Sequence, residues 1–154
     1  LLLLTLALAG CAGAPAVVGP GDGAQGVAGA PLPGSSADFA LNVGDRVLFE
    51  SDSSTISEQG RATLDRQAAW LAQYPRQSIL IEGHADERGT REYNIALGAR
   101  RAQAVRDYLI SRGIPAQRMR TVSYGKERPV AVCNDISCWS QNRRAVTVLG
   151  GGNS

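Results

Sequence analysis

Histidine occurs once in these 154 residues, methionine once and cysteine three times, and the formal charges nearly cancel at +2. Each shortage removes a class of function. A lone His84, with no cysteines at metal-ligand spacing, is too thin a donor set for a zinc or transition-metal centre. No metal or other cofactor is therefore expected, and His84 is expected to bond a neighbouring strand or loop. A surplus of two positive charges argues against nucleic acid and against electrostatic attachment to an anionic membrane surface. No Ser-His-Asp or Cys-His arrangement stands out for nucleophilic catalysis. No apolar run reaches the ~18 residues of a permanent transmembrane helix, and no internal repeat is visible.

The N-terminus is nonetheless apolar. LLLLTLALAG, residues 1–10, ends in small residues directly before Cys11, and the only methionine is Met119. The chain as written is expected to begin inside a secretory signal, whose apolar core is shorter than a membrane span. LAGC, residues 8–11, resembles a bacterial lipobox. That resemblance implies cleavage before Cys11 and lipidation of its thiol, each buried CH₂ then adding about 0.8 kcal/mol of membrane affinity. Setting Cys11 aside leaves Cys133 and Cys138 in CNDISC. Their spacing is wrong for a thioredoxin-like C-x-x-C, and they read as a local disulfide in an oxidising compartment, with two free thiols as the alternative. So short a loop contributes only about 2 kcal/mol on closure. From Ala12 to about Asp38 the chain is rich in Gly, Ala and Pro, without periodicity and nearly without charge, so it buries too little apolar surface to offset its ordering entropy. Residues 11–40 are assigned to the lipidated cysteine and a flexible tether spanning on the order of 30 Å. Residues 41–149 are assigned to one folded domain and 150–154 to a disordered tail.

Within that domain the periodicities are local and clear. RVLFE, residues 46–50, reads as a strand. Ser57 opens a helix in SEQGRATLDRQAAWLAQYP, where Leu64, Ala68 and Leu71 recur at helical spacing and Pro75 closes the element. QSILIEGHA is a β-branched strand, and Thr90 caps a helix over residues 91–112 that Gly113 and Pro115 end. MRTVSYG, residues 119–125, and RRAVTVL, residues 143–149, are two more strands. Strands alternating with helices indicate an α/β (α+β) two-layer sandwich, with the helices on one face of a small sheet.

One arginine is out of place in this pattern. Projecting residues 91–112 at about 100° per residue gathers Leu97, Ala102, Val105, Tyr108 and Leu109 on one face. Arg101 falls in the middle of that stripe, Asn94 shares it, and Arg100 points the other way. A guanidinium at a core edge needs a partner, because an unpaired buried charge costs several kcal/mol. Asp86 is the nearest candidate, at the exit of the strand before this helix, where ligands commonly bind in helix-covered sheets. Two readings stay open. In one, Arg101 and Asp86 form an internal salt bridge. In the other, both face a groove that holds a zwitterion, and Arg101→Ala loses more than about 2 kcal/mol of binding while the domain still folds. Glu82, Asp86 and Glu87 also suggest a glycosidase acid/base pair, but an Asp86 beside Arg101 stays ionised and makes a poor general acid, so no enzyme is expected.

GHADERGTREYN, followed by NIALGARRAQAVRDYL, closely resembles the OmpA-like peptidoglycan-binding domain family. The family's helix motif is met at Asn94, Leu97, Gly98, Arg101, Ala102, Val105 and Leu109, and SYGKERP and NRRAV match as well. The resemblance covers residues 41–149 and implies a βαβαββ order with a small mixed sheet. It further implies a site for the meso-diaminopimelate of the peptidoglycan stem peptide. Asp86 takes that residue's ammonium, Arg101 its carboxylate, Asn94 and Leu97 lie beside the pocket, and Asp52 stands on its rim. Many members carry an aromatic residue before that aspartate where this chain has Ser51, which removes a stacking contact. Cys133 and Cys138 lie outside the family's commonest pattern. By resemblance to the lipid-anchored members, the chain is also expected to bind the periplasmic protein TolB. Those members sit in the outer membrane, domain facing the periplasm, and Ala12 rather than Asp beside Cys11 agrees with that address.

Overall fold

The computed structural model describes residues 29–150. The expected signal, Cys11, the tether up to residue 28 and residues 151–154 lie outside the described residues. Helix α1 (Ser36–Asp38) winds directly into a wider turn over Phe39–Val43. Ser35 Oγ caps it by accepting from the Asp38 amide at 3.1 Å. Phe39 is only 1% exposed and packs edge-on against Trp70, ring centroids 4.9 Å apart. Trp70 in turn donates its indole N–H to Asp38 at 3.0 Å. The folded unit therefore starts before residue 41, inside the stretch assigned to the tether. One aromatic anchor decides this, and the average composition of residues 11–40 hides it.

Strand β1 (Arg46–Leu48) leads to α2 (Glu58–Gln73), whose first turn is capped by Ser57 Oγ accepting from Gly60 N at 3.1 Å. Then come β2 (Ile79–His84), α3 (Arg91–Ser111, capped by Thr90), β3 (Met119–Gly125), α4 (Ile136–Asn142) and β4 (Arg144–Leu149). Helix α4 is an addition to the expected order. Asp135 caps it, accepting from Ser137 N at 2.8 Å, and a disulfide joins Cys133 to Cys138 across its start. At seven residues it is too short for a helical stripe to show in the sequence.

The strands lie in the order β1-β4-β2-β3, with β2 and β3 parallel and the other pairs antiparallel. Period two puts Val47, Ile79, Ile81 and Ala145 on the face covered by α2 and α3, where they meet Leu64, Leu71, Val105 and Leu109. Near its end β2 approaches α3 so closely that a Cβ on Gly83 would collide with the carbonyl of Gly98. Only a glycine pair permits this contact, and it brings the loop after β2 against the N-terminal half of α3.

Candidate binding cleft

Beyond that contact β2 gives way to the loop over residues 85–90, and the loop after β1 runs alongside. Between them and the first turns of α3 lies a cleft of about 300 Å³, lined by Ser51, Asp52, Asp86, Arg88, Gly89, Tyr93, Asn94 and Leu97. Four of the five expected site residues line it: Asp52, Asp86, Asn94 and Leu97. A larger hollow of about 750 Å³ beside Leu48, Glu58 and Arg143 contains none of the five.

Asp86 is 7% exposed. Its Oδ1 accepts from the Arg88 backbone N–H at 3.0 Å and from Arg88 Nε at 3.1 Å. Its Oδ2 accepts from Arg88 Nη2 at 2.7 Å and, more loosely, from Arg143 Nη1 at 3.5 Å. Burial pushes the carboxyl pKa up, but these hydrogen bonds and the Arg88 charge outweigh it and hold the group below the usual carboxylate value. Asp86 is thus an anion at neutral pH. Asn94 is 2% exposed and donates to the Arg88 carbonyl at 2.8 Å, which fixes the loop that carries Asp86 and Arg88. Leu97 is buried beneath. Asp52, on the opposite wall, has a positive φ of 54°, a left-handed conformation rare outside glycine and held here by its surroundings.

Arg101 is placed differently from both expectations. It is wholly buried and does not line the cleft. Its Nε donates to the Ser53 carbonyl at 2.8 Å, Nη1 to His84 O at 2.8 Å and Nη2 to Glu50 O at 3.0 Å. The internal salt bridge with Asp86 is therefore corrected, since Asp86 pairs with Arg88 and Arg143 instead. The picture of two charges both open to one groove is corrected in half. The physical reason is that three convergent carbonyls satisfy a buried guanidinium without the desolvation of a second ion. Burial, and then the charge of Arg143, lower its pKa to about 10, against which Asp86 and Asp52 pull upward. It stays a cation beneath the cleft and pins both walls to the floor.

His84 is buried on the opposite face of the sheet, its Nε2 3.4 Å from Glu82 Oε2. Glu82 is thereby engaged outside the cleft and does not pair with Asp86. Arg88, Gly89 and Tyr93 are the cleft residues that sequence reasoning missed, together with Arg143, which lines the neighbouring hollow and reaches Asp86 from behind. The D-E-R-G run held a usable signal, because an Asp whose side chain accepts from the backbone two residues on is ordinary turn chemistry.

The OmpA family pattern matches residues 48–143, a span that contains the cleft. The chain belongs to the OmpA family. Among its relatives is the peptidoglycan-associated lipoprotein of Rhizobium meliloti strain 1021, 67% identical over 153 residues, which cover 99% of this chain and 87% of the relative. The crystal structure of the peptidoglycan-associated lipoprotein from Burkholderia pseudomallei is 42% identical with a TM-score of 0.70, covering 75% of this chain and 99% of that one. The C-terminal domain of Helicobacter pylori MotB is 25% identical with a TM-score of 0.63, over 69% and 84%. In this OmpA-family domain the sandwich is the shared part.

Proposed function

We propose that this protein holds peptidoglycan noncovalently, gripping the meso-diaminopimelate of the stem peptide in the cleft, and that a lipid on Cys11 ties it to the outer membrane. The observation that carries the reading is an ionised Asp86 at the cleft wall with guanidinium groups beside and beneath it. Such a cleft offers a partner for each charge of a zwitterion. The ammonium of diaminopimelate replaces the loose 3.5 Å contact from Arg143 to Asp86. Arg101 supplies positive potential from below, and two of its N–H groups remain beyond those given to carbonyls. Relatives named peptidoglycan-associated lipoprotein support the same reading. It extends to TolB as a periplasmic partner and to the Tol-Pal system of cell division and envelope integrity. The role is binding rather than bond cleavage.

The test is a titration with a stem peptide containing diaminopimelate against its lysine analogue, which lacks the extra carboxylate. At least about tenfold tighter binding of the former is expected, the scale of one charge-assisted contact. Equal affinities would refute diaminopimelate recognition, and failure to cosediment with purified sacculi would refute wall binding altogether.

A further inference from the structure

The segment bearing Trp139 has no part in the cleft chemistry described so far, yet it touches the residue that spans the cleft. Arg88 reaches Asp86 through Nε and Nη2 and also donates Nη2 to Ser51 Oγ at 3.0 Å, joining the acidic wall to the loop after β1. Among the described residues its Nη1 has no acceptor, so two charged N–H groups are unspent. The guanidinium lies over the indole of Trp139, 4.2 Å from the ring centroid. The indole N–H is fastened to Glu87 Oε1 at 3.0 Å. Trp139 therefore grips both residues that follow Asp86. It sits on α4, whose first turn is closed by the Cys133–Cys138 bond and the Asp135 cap.

These contacts explain what an aromatic residue does at that place. The Arg88 side chain is 44% exposed, and an exposed arginine without support samples many rotamers. Stacking on one face and bidentate bonding along one edge leave it a single orientation. An ammonium and a carboxylate on one carbon also need partners side by side, and Asp86 and Arg88 are bonded to each other. The geometry points to Trp139 as a positioning residue for the cleft: it holds the Arg88 Nη1 donors beside Asp86 for the carboxylate of a zwitterionic ligand, and the disulfide steadies the helix that carries it. This rests on the proposed binding of a zwitterionic stem peptide and assigns its carboxylate a second guanidinium besides Arg101.

The experiment compares wild type, Trp139→Leu and Trp139→Phe in titrations with the diaminopimelate peptide and its lysine analogue, and melting curves confirm that each variant is folded. Leucine keeps apolar volume without a π face. In Trp139→Leu the diaminopimelate peptide is expected to bind about tenfold more weakly and the lysine peptide within about twofold of wild type, while Trp139→Phe keeps most of the discrimination. Cys133→Ser with Cys138→Ser is expected to weaken discrimination by about threefold. An unchanged ratio in Trp139→Leu, or an equal loss for both peptides, overturns the assignment. The ¹⁵Nε resonance of Arg88 decides the positioning without any ligand. It is expected to stand apart in wild type and to merge with those of exposed arginines in Trp139→Leu, and an unmoved resonance overturns it. If wild type ignored the extra carboxylate while this resonance still collapsed, the ligand reading would fall and the positioning would stand.

Discussion

At the start of β2, Ile79 and Ile81 are buried among Leu64, Leu71, Val105 and Leu109, and no single neighbour is indispensable to them. At its far end, His84, Asp86, Asn94, Arg101 and Arg143 are buried almost as deeply, but each depends on named atoms. Apolar burial is non-directional and scales with area, so a lost contact is partly made up by its neighbours. Polar burial is directional, and an abandoned donor or acceptor costs its full desolvation. One strand thus runs from a region specified by pattern to a region specified by particular hydrogen bonds, and the cleft lies at the second.

Arg101 is where that contrast is sharpest. Replacing it with Met keeps much of the volume but abandons the carbonyls of Glu50, Ser53 and His84. The expected loss is roughly 4 kcal/mol of unfolding free energy, from three hydrogen bonds to a charged group. Peptide binding falls with it, since the loops lining the cleft lose their common anchor. Leu71→Ala at the apolar end is expected to cost about 3 kcal/mol by leaving a cavity, yet to leave the affinity of the folded protein unchanged. Urea unfolding and peptide titration of the two variants separate the ends. Equal losses of affinity would break the comparison, and an Arg101→Met protein of wild-type stability would show that the carbonyls find other donors.

The next largest effect is one of pH. Burial first, then the charges of Arg144, Arg128 and Arg46, push the His84 pKa down to about 4. An unfolded histidine titrates near ~6.5, so between these values the unfolded chain binds the extra proton. Stability is therefore complete above pH ~6.5 and is lost as pH falls toward ~4, by roughly 2 kcal/mol once solvent screening is allowed for. Asp86 and Asp38, whose carboxyls are held below the usual value, lose their contributions only at more acid pH. Unfolding free energies across that window should slope in wild type and flatten in His84→Asn. A slope that survived the substitution would place the acid sensitivity elsewhere.

How far the sequence foretold this divides along the same line. The stripe on α3 was legible because every buried member recurs at helical spacing, and so was the inward position of Arg101. What Arg101 bonds was not, because its acceptors are backbone carbonyls 17, 48 and 51 residues away, and carbonyls carry no residue identity. The helical projection turned Leu97 and Asn94 inward, and the strand exit singled out Asp86, whereas the ligand each would meet and the place of Asp52 on the rim came through the family resemblance. Arg88 and Trp139 stayed hidden because the stack joins a loop to a helix too short to announce itself. Phe39 was lost in a Gly/Ala/Pro-rich background, its burial settled by Trp70 far along the chain.

The smallest expected effect tests the wall that Arg101 pins. Asp52 holds φ at 54°, where a Cβ crowds the backbone carbonyl and glycine, which has none, does not. Asp52→Gly relieves that strain but frees the unfolded chain, and the two nearly offset, leaving a gain of about 0.5 kcal/mol. If the polar end is specified atom by atom, the same change should still weaken binding of an ammonium-bearing peptide, because it removes one of the two carboxylates lining the cleft. Stability and affinity would then move in opposite directions at one residue. A parallel fall in both would mean that Asp52 is held left-handed to support the loop, and that its charge contributes little to the ligand.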